Sequence, residues 1–269
     1  MREKWKVEDI LGLTYVCAWS VSMYAPVITN LKQRSSSAVS RDFVMLNITG
    51  YFYLLASLVL QLYMWIPIST TLPEDRSIPV DLKPKVSSFD FWYCFHGFMM
   101  NLVLVSQVVS GVKLWNFKTD NHQNRMKPCY YRFLVISLLV FAILTLKFSY
   151  ENSQNGWDNV RTLSYCNALF VLKISMSLIK YIPQALHNYE RKSMKGFSIQ
   201  SVALDITGGI ASLLQLMVQI SRDQGFNYMT ILANFGKIGL ALVTLVFNFI
   251  FVSQWLVFRE LPNIKSEII

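Results

Sequence analysis

Apolar residues run along this chain in long blocks instead of alternating with polar ones. Phe133 to Leu146 and Ile238 to Phe258 contain no Lys, Arg, Asp or Glu, and the blocks stop only at Lys147 and Arg259. Lipid solvates such stretches cheaply and water does not, and a helix needs about 20 residues to cross a bilayer. Seven segments have that length: 8–29, 43–66, 90–112, 130–149, 160–182, 200–220 and 234–257. The Gly, Pro, Asn and charged residues collect between them, with Pro67 to Ser88 the longest such stretch. The pattern predicts an all-α membrane protein, residues 1–269 forming one polytopic domain of seven transmembrane helices embedded in a lipid bilayer.

Composition agrees. Of 269 residues, 53% are hydrophobic and 15% charged, whereas a soluble domain carries about 25% charged residues. Four cysteines without a CxxC pair exclude a disulfide scaffold, and three scattered histidines give no metal-ligand cluster. No cofactor motif and no nucleophile–base pair appears, so no enzyme is predicted. The net charge of +9 reflects topology and no nucleic-acid partner, because the basic residues lie in short loops between spans. Loops one, three and five and the C-terminal tail hold thirteen Lys and Arg, against nine on the other side, where ten of the sixteen acids lie. The Lys and Arg count puts the N-terminus in a lumen or outside and the C-terminus in the cytosol. The N-terminal residues alternate charges, so the first span is expected to act as an uncleaved anchor.

A shift of 158 residues lays the chain over itself without a gap. Asn30 falls on Asn188, Ser35 on Ser193, Ser40 on Ser198, and Ile48-Thr49-Gly50 on Ile206-Thr207-Gly208. Arg34 over Lys192 and Asn47 over Asp205 are chemically close. Shared apolar composition does not place Asn, Ser, Thr and Gly in register, so a duplication is expected. Spans one and five are four crossings apart and run in the same direction. Two parallel three-helix repeats, 8–112 and 160–257, are then joined by a linker helix at 130–149. This 3+1+3 plan is a transporter architecture, with substrate bound between the halves near the midplane.

Asp205 is the sharpest candidate for chemistry. It sits about five residues inside span six, where a carboxylate costs a few kcal/mol unless paired or protonated, and an intramembrane acid is a functional site by default. Its counterpart Asn47 is neutral and offers hydrogen bonds, either to a ligand or to a neighbouring helix. Pro26 and Pro183 each remove a backbone hydrogen bond and bend their helices where these approach the cytosol. Lys173 and Lys180 lie two turns apart on one face of span five, with Lys180 beside Pro183 at the exit. Asp90 stands at the mouth of span three, where it would gate or shuttle protons or merely favour the helix start. His96 lies further in.

The motifs resemble a known family. Tyr181-Ile-Pro-Gln-Ala-Leu-His-Asn188, then Gly196-Phe-Ser198 and Leu204-Asp-Ile-Thr-Gly-Gly209, are similar to the second PQ-loop motif of cystinosins. Trp19-Ser-Val-Ser-Met-Tyr24 and Asp42-Phe-Val-Met-Leu-Asn47 resemble the first, in the manner of a short fungal member. The resemblance implies proton-coupled export of L-cystine, with H+, from an acidic lysosome, vacuole or endosome, across a multi-pass membrane protein working by alternating access. It implies Asp205 and Asp90 as proton sites, and Asn47, Asn188, Asp205, Lys237 and Trp19 around the substrate. Cystine carries two ammonium and two carboxylate groups, so Lys237 would serve a carboxylate and Asp205 an ammonium or the proton. Pro26, Pro183, Gln184 and Lys180 would form hinges and gate. Two departures stand out: Ala25-Pro26 replaces the first Pro-Gln, and Asn248 stands where the family usually has Asp. Alternatives are another PQ-loop transporter, for cationic amino acids or sugars, and a cargo or trafficking receptor of the same fold.

Overall fold

The computed structural model describes residues 6–36, 41–66, 84–118, 126–191, 199–223 and 228–258. Among the described residues all regular structure is helical: α1 (Val7–Gln33), α2 (Arg41–Tyr63), α3 (Ser88–Leu114), α4 (Pro128–Asn155), α5 (Asn159–Arg191), α6 (Ile199–Asp223), α7 (Tyr228–Ala233) and α8 (Phe235–Phe258). Seven of them, all but α7, are long and apolar enough to cross a membrane, so this is a membrane protein. Each overlaps one predicted span. Five of them overrun their spans at both ends because polar ends continue the backbone hydrogen bonding past the hydrocarbon, most of all α5, whose last turns carry His187, Asn188 and Arg191, whereas α2 stops at Tyr63, short of the predicted 66. The unpredicted α7 is one short helix separated from α8 by a turn at Asn234.

Local chemistry sets the helix starts. Ser87 caps α3: its hydroxyl accepts from the Asp90 amide at 3.3 Å while Asp90 takes the Ser87 amide at 2.7 Å, a reciprocal box that satisfies two orphan donors. Pro128 opens α4, where its missing N–H costs nothing. In α1 the helix runs on through Pro26, and in α3 Ser110 leaves helical geometry at φ −125°.

Helix α3 packs against α1 and α2, and α8 packs against α5 and α6. Between these groups α1 lies along α6 and α2 along α5. Exchanging α1, α2, α3 for α5, α6, α8 leaves this pattern unchanged, which is consistent with two three-helix units. Helix α4 lies against α5 and touches α2; Ile136, Leu139, Ile143 and Leu146 remain exposed, facing lipid. Tyr53 to Ser137 and Tyr165 to Thr145, both at 2.7 Å, tie it down. Lipid is as apolar as a leucine face, so such polar links and close packing hold membrane helices together.

Individual contacts recur between the groups. A shift of 158 carries Val27 to Ala185, and a shift of 147 carries Gln107 to Gln254. The Gln107 amide donates to the Val27 carbonyl at 3.5 Å, and the Gln254 amide donates to the Ala185 carbonyl at 2.8 Å. Gly12 lies directly against the Phe89 ring, and Phe170 lies directly against Gly236. Under the same two shifts these positions correspond, with glycine and phenylalanine exchanged.

Candidate transport site

Helices α3 and α8 begin at the face of the bundle where α1 also begins, and there Asp90 meets Lys237. The Lys237 ammonium is 3.0 Å from each carboxylate oxygen of Asp90, and both side chains are 12% exposed. Asp90 also accepts from the Tyr15 hydroxyl and the Ser87 hydroxyl, each at 2.8 Å. Lys237 donates further to the Gln215 side-chain oxygen at 2.8 Å, and the Gln215 amide donates to the Glu8 carbonyl at 3.0 Å. Glu8 pairs with Arg222 at 2.7 Å. A buried charge needs a partner and further hydrogen bonds, and this network supplies both.

Asp90 and Lys237 line a cavity of about 520 Å³, its open mouth included. Its walls are apolar on one side (Leu54, Leu58, Phe170, Leu240) and polar at Gln61, Ser212 and Asn234. Pro84, Lys85 and Val86 complete the lining, and the Lys85 amide donates to the Asn234 side-chain oxygen at 2.7 Å. Trp19 and Tyr93, whose rings lie 4.8 Å apart, also line it. The Tyr93 and Tyr51 hydroxyls meet at 2.8 Å. Trp19 lies flat over Gly208, where a Cβ would come within 2.6 Å of the ring, so only glycine admits the indole here.

Beyond these aromatic rings lies a second polar cluster. From Ser212, which lines the cavity, to Asp205 is seven residues of α6, or about 10 Å of helix rise. Asp205 is half-buried. Its backbone carbonyl accepts from the Trp19 indole at 3.0 Å, and its carboxyl faces the Ser22 hydroxyl with Lys180 as its cationic neighbour. Among the described residues it forms no ion pair. The Lys180 ammonium donates to Asn47 at 2.6 Å and lies over the Phe43 and Tyr181 rings. Asn47 in turn donates to Asn101 at 2.6 Å.

The sequence-derived residues therefore fall into two groups. Trp19, Asp90 and Lys237 share the cavity, while Asp205, Asn47 and Lys180 form the inner cluster; Trp19 touches both. The side chains of Pro183, Gln184 and Asn188 lie outside the described ones. Lys173 is buried 4.2 Å from the Tyr51 ring centre. His96 meets the Tyr24 hydroxyl at 3.0 Å. Asn248 is buried and donates to the Thr244 carbonyl at 2.9 Å within its own helix. Sequence reasoning passed over Ser22, Tyr93, Asn101 and Gln215, neutral residues inside apolar helices. The repeat carried a signal for one of them, because the 158 shift lays Ser22 over Lys180 as it lays Asn47 over Asp205.

Comparison with known proteins defines the class first: residues 165–225, covering most of α5 and all of α6, match the PQ loop repeat model. Over 255 residues the chain is 56% identical to the cystine transporter of Saccharomyces cerevisiae, covering 94% of this chain and 95% of that protein. It is 30% identical over 262 residues to cystinosin of Bos taurus, spanning 96% of this chain and 65% of that one. With the cystinosin homolog of Dictyostelium discoideum it shares 29% over 263 residues, 97% and 84% of the two chains. The chain belongs to the cystinosin family, among transporters and not enzymes.

Proposed function

We propose that this protein exports L-cystine from an acidic lumen, lysosomal, vacuolar or endosomal, to the cytosol, coupled to protons. The N-terminus and the cavity face the lumen, and the C-terminus faces the cytosol. The observation that carries this reading is the Asp90–Lys237 pair inside a cavity that also holds a flat indole. An ammonium and a carboxylate side by side match the zwitterionic head of an amino acid, and Trp19 supplies an apolar wall for a disulfide. The 56% identity to a protein named as a cystine transporter supports the same substrate.

Two parallel repeats, 8–112 and 160–257 around the linker 130–149, give the pair its place. Asp90 and Lys237 correspond under the 147 shift and touch each other. Equivalent residues of two related halves meet only near the axis relating them, so the pair sits where the halves part. Cystine arriving from the lumen separates it, its carboxylate going to Lys237 and its ammonium to Asp90. Asp205 takes the proton from the lumenal side; the loaded bundle then opens toward the cytosol, with Pro26 and Pro183 as bending points. Opening there requires Lys180 to leave Asn47. Release of the proton at cytosolic pH recharges Asp205 beside Lys180 and resets the cycle.

Labelled-cystine flux in proteoliposomes, with the cavity side at pH 5 and then at pH 7, tests the coupling. Faster flux at pH 5 with proton movement alongside is expected. Flux indifferent to the gradient, with no proton movement, would remove the coupling and leave a facilitator.

A further inference from the structure

Gln215 stands behind Lys237, outside the cavity lining, and is 1% exposed. Its two polar ends are both engaged, and their orientation is forced. A lysine ammonium only donates, so the amide oxygen must face Lys237, at 2.8 Å. A backbone carbonyl only accepts, so the amide nitrogen must face Glu8, at 3.0 Å. Glu8 is itself pinned by Arg222. An ammonium has three N–H groups. The two Asp90 oxygens, each at 3.0 Å, and Gln215 surround all three of Lys237's, fixing the nitrogen at the cavity wall until a ligand displaces Asp90. The corresponding position in the other half, 158 residues earlier, is Ser57, which is too short to make this bridge; its partner Gln61 donates to it at 2.9 Å. The amide is thus peculiar to the half that carries the lysine.

We propose that Gln215 is a positioning residue that presents the Lys237 ammonium to the substrate carboxylate, so that substrate affinity depends on an amide that never touches the substrate. This rests on the reading of Lys237 as the carboxylate ligand. The charged and titratable groups around the bridge are Asp90 on α3, Glu8 and Tyr15 on α1, Arg222 on α6 and Lys237 itself. When the substrate draws Asp90 away, Gln215 is the partner left to hold Lys237 in place. Without it the ammonium swings on its four-carbon stem, and each binding event must order it anew.

The test measures KM and Vmax for cystine in proteoliposomes for the native protein, Gln215→Leu, Lys237→Met and the double variant. Gln215→Leu is expected to raise KM on the order of ten-fold, the worth of one hydrogen bond to a charge, with Vmax within about two-fold. In the Lys237→Met background the same change is expected to add less than about two-fold. An equal factor in both backgrounds overturns the proposal and leaves Lys237 assigned. A Lys237→Met KM equal to the native one sinks the underlying reading instead. Gln215→Glu serves if the leucine variant does not fold. Its carboxylate competes with the substrate for Lys237 at neutral pH, and its KM, relative to native, should fall back as the cavity side is acidified and the glutamate takes up a proton. A relative KM that ignores pH overturns the proposal.

Discussion

The Lys180 ammonium donates a hydrogen bond to the Asn47 side-chain oxygen at 2.6 Å, and so ties α5 to α2 across the line where the two helix groups meet. The shift that lays Asn47 over Asp205 lays Ser22 over Lys180, and Ser22 faces Asp205. Positions that match under this shift therefore make two unlike cross-links, an ammonium on an amide and a hydroxyl at an acid.

Asn47→Asp turns the first link into an ion pair and gives up the hydrogen bond that Asn47 donates to Asn101. A hydrogen bond to a charged partner on both sides exceeds one to an amide by about 1 kcal/mol, which should slow the opening that breaks it. Cystine flux is expected to fall five- to ten-fold while the unfolding midpoint in detergent stays within a few degrees of native. Unchanged flux means that the tie stays made throughout the cycle.

Asp205→Asn keeps the side chain's size and its contact with Ser22 but cannot release a proton. Cystine counterflow, which needs no net proton movement, should persist within about ten-fold of native. Cystine-driven acidification should vanish, and the response of uptake to pH between 5 and 7 should flatten. Acidification at the native rate in this variant would move the coupling acid elsewhere.

Gly208→Ala drives a methyl group into the Trp19 ring, which a Cβ would approach to 2.6 Å. Overpacking of this kind costs about 1–3 kcal/mol, and the indole must move off the Asp205 carbonyl it bonds at 3.0 Å. A lower unfolding midpoint and weaker cystine affinity are expected, with stability partly restored by adding Trp19→Phe. If the second change makes stability worse, the collision is not the cause.

The two buried glutamine bridges are separable by thermal unfolding. Gln254→Leu frees the Ala185 carbonyl and should cost on the order of 1 kcal/mol. Gln107→Leu should cost more, because it frees the Val27 carbonyl and also strands the Asn30 amide that donates to Gln107 at 3.0 Å. The reverse ranking would show that the α8 bridge bears more of the load than the α3 one.

The seven crossings were legible because hydrocarbon favours long apolar helices, and the charged exception Asp205 announced itself by its cost, while Lys237 was singled out by the family resemblance. Nothing local announced that Lys237 meets Asp90, 147 residues away, since that contact depends on how α3 and α8 converge. Gln215 and Asn101 escaped notice because a neutral amide in an apolar helix looks like helix–helix glue whichever neighbour it serves. The break at Asn234 was hidden for a related reason: its side chain answers to the distant Lys85 backbone. The repeat was readable in sequence through α2 and α6, while the third helix of each group aligns only under a different shift, which the paired glutamine bridges make visible.

The exchange of Gly12 and Phe89 for Phe170 and Gly236 closes off a route of change. Each benzyl group fills a hollow on the helix beside it, and between the groups the donor and the recipient of that volume have traded places. A chimaera joining α1 to α8 would bring two glycines together over a void, and one joining α5 to α3 would force two rings into the same space. The third helices of the two groups are therefore not spare parts for one another, and any recombination that shuffles them must carry both sides of the fit at once.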